Sequence, residues 1–182
     1  MAQIHDDDAE LLRAAARGEP AAVRRLLDEA GPVLYGFVFA RAGGDAAGAE
    51  DIVQETLFEA VKGAAGFRGD AALTTWLCAI ARRRLARYYE RERRDDLVRS
   101  GLTLVRDSGV DEIDVPQVED RDEMIRALGR LSAIHRQVLV LKYLDDYSVG
   151  EIAREIGRTE VQVQSLLQRA RDGLRRQLEA SA

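Results

Sequence analysis

Apolar residues recur at spacings of three and four along most of this 182-residue chain, and no segment alternates with a period of two. The segment from Leu73 to Tyr88 is a clear example, with apolar side chains at 73, 77, 80, 81 and 85. The chain has only 3 prolines and is rich in Ala, Leu, Arg and Glu, which favour helices. The pattern therefore predicts an all-α protein.

The helical pattern stops between about residues 96 and 121. This stretch contains Pro116, and residues 100–123 carry eight acidic residues against two basic ones. Such a composition is typical of a flexible linker. We therefore predict two small helical domains, at 1–95 and 122–182, joined by an acidic linker at 96–121.

Capping and turn residues predict where individual helices begin and end. Several signals combine a side-chain acceptor with a Glu or Gln three residues later, and others are glycines or prolines. The predicted boundaries are caps at Asp7, Asp45, Ser132, Ser148 and Thr159, a cap at Asp70 or Thr74 for a helix reaching about Arg94, a break at Gly31-Pro32, and turns at Gly18, Gly43-Gly44 and Gly157.

Few residues are suited to metal binding or nucleophilic catalysis. Cys78 is the single cysteine, and it lies in mid-helix beside Leu77 and Ile80, where a small hydrophobic residue is expected. The 2 histidines, His5 and His135, are too few for a metal cage. No glycine-rich phosphate loop, zinc-protease motif or nucleophile elbow is present. We therefore predict a protein that is not an enzyme and uses no metal or cofactor.

Two features predict a cytoplasmic protein without membrane insertion. The longest charge-free runs, such as Ala30 to Ala40, have 11 residues and are too short to span a bilayer. Asp6, Asp7 and Asp8 stand where a signal peptide would need positive charge.

Charge is distributed unevenly along the chain. The net charge is −5, yet residues 67–99 carry nine basic and five acidic residues, and residues 124–182 carry ten and seven. These two basic blocks are candidate surfaces for a polyanion. Charge also fluctuates along any helical protein, so the distribution alone does not decide between a binding surface and a solvated one.

The segment from Ser148 to Arg176 has the spacing of a helix-turn-helix. Ala153 allows two helices to approach closely, Gly157 allows the turn, and Val163 fills the angle between them. The second helix of such a motif enters the major groove of DNA with its N-terminal residues at base edges. The other interpretation is a helical hairpin with a solvated polar face. The candidate DNA-binding residues are Thr159, Gln162, Gln164, Ser165 and Gln168 for bases, and Arg169 and Arg171 for phosphates.

Arginines form a stripe along the helix predicted after Asp70. They recur every three or four residues, and Trp76, Tyr88 and Tyr89 lie among them, where aromatic rings could stack on unpaired bases. The other interpretation is a solvated arginine face, with Trp76 in the core. The stripe consists of Arg83, Arg87, Arg91 and Arg94.

The helix predicted from a cap at Asp45 to about Lys62 has two different faces within residues 50–59. Ile52 and Leu57 point inward, whereas Asp51, Glu55 and Phe58 share a second face at spacings of four and three. An aromatic residue within an acidic face suits a basic helix of a partner protein. The other interpretation is an ordinary solvated face.

Taken together, these segments resemble bacterial RNA polymerase sigma factors of the extracytoplasmic-function type, within the sigma-70 family. The resemblance covers about residues 8–95 and 122–178, and the order and spacing of its motifs are specific. The motifs are Ala49-Glu50-Asp51-Ile52-Val53-Gln54-Glu55, Phe67-Arg68-Gly69-Asp70, Thr75-Trp76-Leu77 and Ile80-Ala81-Arg82, followed by Arg136, Val138 to Leu141, Tyr143-Leu144, Ile152-Ala153, Gly157, Val163, Ser165, Leu167 and Arg169-Ala170-Arg171.

The resemblance implies an initiation factor that binds core RNA polymerase and directs it to promoters. In this family the acidic helix binds the clamp helices of the largest polymerase subunit, which implies roles for Asp51, Gln54, Glu55 and Phe58. The following loop and basic helix recognise and help to melt the minus-ten element. The residues implied there are Arg68, Asp70, Thr75, Trp76, Arg82, Arg83, Arg87 and Arg91.

The resemblance also assigns roles to the rest of the chain. The helix-turn-helix reads the minus-35 element while its domain sits on the polymerase flap, and the acidic linker threads toward the RNA exit path. An anti-sigma factor that covers the two domains is a further implied partner.

The chain departs from the family pattern at five positions. Gly48 stands where another acid is common, Arg83 where a smaller polar residue is common, and Ser132 where proline is frequent. Gln164 and Leu166 stand where the family usually has basic residues, which predicts a weak minus-35 interaction.

Two alternatives remain from the sequence. A stand-alone helix-turn-helix regulator would bind duplex DNA without polymerase, but it leaves the acidic face around Phe58 unexplained. A helical signalling adaptor without DNA function leaves the two basic blocks unexplained.

Overall fold

The computed structural model describes residues 2–100 and 121–180, which form eight α-helices and one 3₁₀ turn without any strand. This confirms the all-α prediction for those residues. Most of the predicted linker, 101–120, lies outside the described residues. The elements are α1 (Ala2–Ala16), α2 (Pro20–Arg41), α3 (Ala46–Lys62), the 3₁₀ turn (Ala64–Gly66), α4 (Leu73–Ser100), α5 (Arg121–Gly129), α6 (Ala133–Tyr143), α7 (Val149–Ile156) and α8 (Glu160–Glu179).

The chain divides into two compact units, Met1–Tyr88 and Tyr89–Ala182, and the division falls inside α4. The first unit packs α1, α2, α3 and the first half of α4 around an aliphatic core. Its most buried large side chains include Leu12, Leu34, Val38 and Leu77. The apolar face predicted along α4 is buried at Leu73, Leu77, Ile80, Ala81 and Leu85. By contrast, Val23 and Leu27 of α2 are exposed, and Leu57 of α3 is half-buried.

Two helix boundaries differ from the predictions. The first helix begins at Ala2, so Asp7 lies inside it and is not an N-cap. The second helix runs through Pro32 without ending. Leu26, Ala30, Leu34 and Val38 recur at spacings of four and are all buried, so a continuous apolar face outweighs the hydrogen bond that proline removes.

The N-terminus of α4 is held by a residue distant in sequence. The prediction was a cap at Asp70 or Thr74, but the helix begins at Leu73, whose backbone N–H donates to the Asp8 carboxylate at 3.0 Å. Asp8 belongs to α1, 65 residues earlier. This bond supplies an acceptor for an amide that has no partner within its own helix.

The second unit contains the predicted helix-turn-helix. Both capping boxes are present, with Ser148 and Glu151 at the start of α7, and Thr159 and Gln162 at the start of α8. Gly157 ends α7 with φ +65°, a left-handed conformation that glycine adopts without strain. These observations confirm the predicted motif and its turn.

Ala153 and Val163 are buried where α7 meets α8, as their spacing predicted. The rest of this core is aliphatic and draws on α5 to α8. It includes Leu128, Val138, Leu139, Ile152, Leu167, Ala170 and Leu174.

The last turns of α4 contribute to the second unit. The prediction was that this helix ends at about Arg94, but it continues to Ser100. The Ala133 N–H at the start of α6 donates to Asp96 at 2.8 Å, whereas Ser132 stands at the N-cap position without making the predicted side-chain bond.

A buried charge lies near the same helix start. Arg136 is 5% exposed, and its guanidinium lies 3.5 Å from the Glu92 carboxylate. Glu92 and Asp96 thus place two α4 carboxylates against the first turn of α6.

Gly48 lies at a close approach between α3 and α4. Asp45 accepts a hydrogen bond from the Gly48 N–H at 3.1 Å, and the Tyr88 hydroxyl donates to the same carboxylate at 3.0 Å. A Cβ at Gly48 would lie 2.8 Å from the Tyr88 ring. This departure from the family pattern therefore leaves room for Tyr88 to reach Asp45.

We predict that Gly48→Ala destabilises the first unit by about 1–3 kcal/mol, because overpacking outweighs the better helix propensity of alanine. Gly36→Ala is the matched control, since Gly36 also lies within a helix but has no atom within 4 Å of its Cβ position. The control should be neutral or stabilising by up to about 1 kcal/mol. Trp76, the 1 tryptophan of the chain, lies in the first unit. Its fluorescence in urea therefore reports on that unit, and equal stability of Gly48→Ala and the parent would contradict the prediction.

We also predict acid sensitivity from His135. Burial, followed by the positive charges of Arg169 and Arg176, lowers the pKa of this half-buried imidazole. In the unfolded chain this imidazole takes up a proton at about pH 6.5, whereas in the folded protein it does so only at a lower pH. The free energy of unfolding therefore decreases as the pH falls below about 6.5. His135→Gln should show a smaller loss of stability than the parent between about pH 7.5 and pH 5.5. Urea unfolding followed by circular dichroism tests this, and equal losses in both proteins would contradict it.

Candidate functional site

The acidic face of α3 is an exposed surface made by Asp51, Gln54, Glu55 and Phe58. The opposite face of the helix carries Ile52, Thr56 and Ala60, all buried. Phe58 is 63% exposed, and the Lys62 ammonium lies 4.3 Å from the centre of its ring. The structure thus brings these four predicted residues together on one side of α3, away from the core.

Ion pairs join this acidic face to α4. Arg84 lies 2.6 Å from the Glu59 carboxylate and 3.1 Å from that of Glu55, and Arg83 lies 3.2 Å from Glu59. Partial burial would raise the pKa of Glu59, but hydrogen bonds and charge from Arg84 and then Arg83 lower it overall. Glu59 is therefore held ionised between two arginines, and Glu55 is oriented by Arg84.

Sequence reasoning did not assign Glu59 and Arg84 to a site. Glu59 directly follows Phe58, but its partner Arg84 is 25 residues away. The opposite charges on the two helices were visible in the sequence, whereas their pairing depends on how α3 packs against α4.

The arginine stripe of α4 is exposed along its length, at Arg83, Arg87, Arg91 and Arg94. Beside it, the Arg82 guanidinium lies 5.2 Å from the ring centre of Phe37, in a cation–π geometry. The stripe therefore presents positive charge to solvent, while Arg82 packs partly on an aromatic ring.

The other predicted minus-ten residues lie near the start of α4. Arg68, Asp70 and Thr75 are exposed, and Trp76 is half-buried with its ring centre 5.1 Å from that of Phe67. Trp76 thus packs on the first unit and also keeps part of its surface accessible.

Tyr88 and Tyr89 cannot stack on unpaired bases as predicted. They are 4% and 3% exposed, and Tyr88 is engaged with Asp45. The prediction was wrong because Tyr88 and Tyr89 are neighbours of the arginines in the sequence only. On the helix, the two rings lie on the buried side and the arginines on the exposed side. Among the aromatic residues of α4, this leaves Trp76 with accessible surface.

The predicted minus-35 residues lie along α8, and most of them are engaged within the unit. Thr159 and Gln162 form the capping box. The Arg169 guanidinium donates to the Ser165 hydroxyl at 2.8 Å. Gln164 is exposed, and Leu166 packs against the core, which explains why an apolar residue replaces the usual basic one.

Arg171 makes two contacts that orient its guanidinium. It donates to the Gln168 side-chain oxygen at 2.9 Å and to the Tyr143 hydroxyl at 3.2 Å. Gln168 is therefore partly occupied by Arg171, which leaves Gln164 as the exposed glutamine in the middle of the predicted base-reading set.

A cleft of about 960 Å³ lies within the second unit, between the last turns of α4 and one side of α8. Gln162, Ser165 and Arg169 line one wall, and Arg93 and Arg94 contribute to the other. Burial, opposed by Glu90 and reinforced by the charge of Arg158, lowers the pKa of Arg93. Cationic groups thus concentrate along the cleft.

In the part of the chain that the structure describes, none of the helices combines the length and the apolar composition that a membrane-spanning segment needs. No group of three or more His, Cys, Asp or Glu side chains is placed to hold a metal ion within residues 2–100 and 121–180.

Comparison with known proteins gives two family matches. The sigma-70 region 2 family matches residues 26–95, and the sigma-70 region 4 family matches residues 121–173. The first match lies outside the helix-turn-helix. Neither a stand-alone helix-turn-helix regulator nor a signalling adaptor is therefore supported.

Several known proteins are similar over most of the chain. The ECF RNA polymerase sigma factor SigL of Mycobacterium tuberculosis is 36% identical over 167 residues, which cover 88% of this chain and 91% of SigL. The ECF sigma factor BldN of Streptomyces coelicolor is 29% identical over 173 residues, covering 88% of this chain and 62% of BldN. The structure of RpoE from Bartonella quintana, solved with the anti-sigma factor NepR, is 22% identical, covers 88% of this chain and 98% of RpoE, and has a TM-score of 0.47. On the extent and identity of the SigL match, together with the region 2 and region 4 matches, the chain belongs to the extracytoplasmic-function family of RNA polymerase sigma factors.

Proposed function

We propose that this sigma factor binds core RNA polymerase through the acidic face of α3, with Asp51, Gln54, Glu55 and Phe58 on the clamp helices of the largest subunit. The observation that carries the proposal is the exposure of Phe58 within an acidic surface whose opposite side forms the core. An exposed aromatic side chain can anchor a partner helix, and the surrounding carboxylates complement basic residues.

The second part of the proposal concerns the minus-ten element. The positions from Arg68 to Thr75 would contact it at the start of α4, together with Trp76, Arg82, Arg83, Arg87 and Arg91. Exposed arginines can track the phosphate backbone of a melted strand, and the accessible part of Trp76 offers a surface for one base. Promoter melting then requires no catalytic group, because capture of the single strand stabilises the open state.

The third part concerns the minus-35 element, which α8 would read from the major groove. Gln164 is exposed on the outer side of the helix, and an amide side chain can bond both N6 and N7 of adenine. Thr159, Gln162, Ser165 and Gln168 would add polar contacts, with Arg169 and Arg171 on phosphates.

Two weak DNA contacts joined through one polymerase-bound protein act together through effective concentration. A protein of net charge −5 should therefore bind promoter DNA poorly alone and well as holoenzyme. Since bacterial RNA polymerase works in the cytoplasm, this function places the protein there. An anti-sigma factor that covers the exposed polymerase-binding face, together with contact of the second unit with the polymerase flap, completes the proposed set of partners.

Run-off transcription with core polymerase, with and without this protein, on the region upstream of its own gene tests the function. We predict that Phe58→Asp weakens core binding by about 2 kcal/mol or more and abolishes the transcript, as loss of a central aromatic anchor does. Val33→Asp is the matched control, because Val33 is 54% exposed on α2 and receives the same added charge.

Co-purification of each folded variant with core polymerase measures the binding. If Phe58→Asp binds core polymerase as well as the unmodified protein does, or if Val33→Asp loses as much core binding, the acidic face is not the polymerase-binding surface. If the unmodified protein yields no transcript on any promoter, the proposed function itself is wrong.

We predict that Gln164→Lys steepens the salt dependence of promoter binding by about 1 in log–log slope, because the longer, charged side chain leaves the adenine edge and reaches a phosphate. The measurement is promoter binding by holoenzyme across a salt series, on templates varied in the minus-35 element. Gln164→Ala is the control without added charge and should leave the slope unchanged while weakening the preference for adenine. If Gln164→Ala changes no base preference and Gln164→Lys changes no slope, α8 does not dock in this way.

A further inference from the structure

Val161 is an exposed aliphatic residue with no structural role that the fold explains. It lies in the first turn of α8 and is 70% exposed, more than any other large apolar side chain described within residues 121–180. Val163, two residues later, is 0% exposed and already fills the core. Valine is also a weaker helix former than alanine or glutamine. Neither packing nor helix formation therefore explains Val161.

The side chains next to Val161 make contacts within the protein. Thr159 and Gln162 bond each other's backbone amides in the capping box. The Glu160 carboxylate oxygen lies 3.1 Å from the position that a Cβ at Gly150 would take, so this acid turns back toward α7. Glu160 and Gln162 are exposed as well, but their side chains are engaged in these contacts, which leaves Val161 and Gln164 facing solvent in the first turns of the helix.

These two side chains are placed to reach neighbouring base pairs. Residues three apart on a helix have Cβ atoms about 5–6 Å apart. Successive base pairs are separated by about 3.4 Å along the duplex axis. When the N-terminal part of the helix enters the major groove, Val161 and Gln164 can therefore contact adjacent steps.

The chemistry of the pair selects particular bases. Thymine is the standard base that presents a methyl group in the major groove, and adenine is the base that offers both N6 and N7 to an amide. We propose that Val161 reads the C5-methyl group of a thymine beside the adenine contacted by Gln164; this inference rests on the function proposed above. Burial of the valine methyls against the thymine methyl removes apolar surface from water on both sides.

The test is selection by holoenzyme from promoter-length duplexes randomised across both promoter elements. The library is made once with thymine and once with uracil, which lacks the C5-methyl group. We expect the unmodified protein to enrich thymine about fourfold over cytosine at one minus-35 position, and to lose this preference in the uracil library. Val161→Ala should lose the preference in the thymine library and show no further change with uracil.

Val161→Thr is the conservative control, because it keeps one γ-methyl group, and it should retain part of the thymine preference. Gln164→Ala should lose the neighbouring adenine and keep the thymine. Unchanged thymine enrichment in Val161→Ala, the same enrichment with uracil, or a selected minus-35 element without thymine would each overturn the inference. In all three cases the holoenzyme still selects a minus-35 sequence, so the proposed function survives. If no minus-35 sequence is enriched at all, the proposed function fails and the inference fails with it.

Discussion

Backbone amides at the start of each helix need an acceptor, and at the starts of α4 and α6 a carboxylate from another helix provides it. Asp8 of α1 binds the first amide of α4, and Asp96 of α4 binds the first amide of α6. Asp45 caps α3 and also accepts a hydrogen bond from the hydroxyl of Tyr88 on α4. The bonds made by Asp8, Asp96 and Tyr88 each join two helices, and all three carboxylates are half-buried. The arginine stripe lies on a helix that starts in this way, whereas α8 starts with its own capping box.

The distance between partners along the chain decides how well the sequence predicted these features. Both capping boxes of the helix-turn-helix join residues three apart, and both were predicted from the sequence alone. The bond from Leu73 to Asp8 could not be predicted, because the partners are 65 residues apart. Pro32 shows the opposite limit, since a strong local signal for a helix end gave way to burial of a continuous apolar face.

The candidate sites follow the same division. Helical periodicity placed Asp51, Gln54, Glu55 and Phe58 on one exposed surface, because their grouping depends only on position within one helix. It failed for Tyr88 and Tyr89, because arginines flank them in sequence while the fold buries both rings. The ion pairs between α3 and α4, and the exposure of the valine at the start of α8, become visible only in the packed structure.

Electrostatics divides the arginines of α4 into two groups. Arg83 and Arg84 lie against glutamates of α3, so much of their charge is balanced locally. The positive potential available to a polyanion is therefore weaker at Arg83 than its exposure alone would suggest. Because the ion pairs also orient Glu55 and Glu59, the same contacts set the charge pattern of the neighbouring acidic face.

The two carboxylates that α4 places against α6 have a consequence for exchanging parts between related proteins. Arg136 is nearly buried, and its guanidinium faces Glu92, while Asp96 accepts from the first amide of α6. A chimera joined after α4, with the later helices taken from this chain, would bury that guanidinium beside whatever residues the donor has at these two positions. An unpaired buried charge is strongly destabilising. A chimera that exchanges the DNA-reading half should therefore keep Glu92 and Asp96 together with α5 to α8. The junction then lies within α4, before its last turns, and not after the helix.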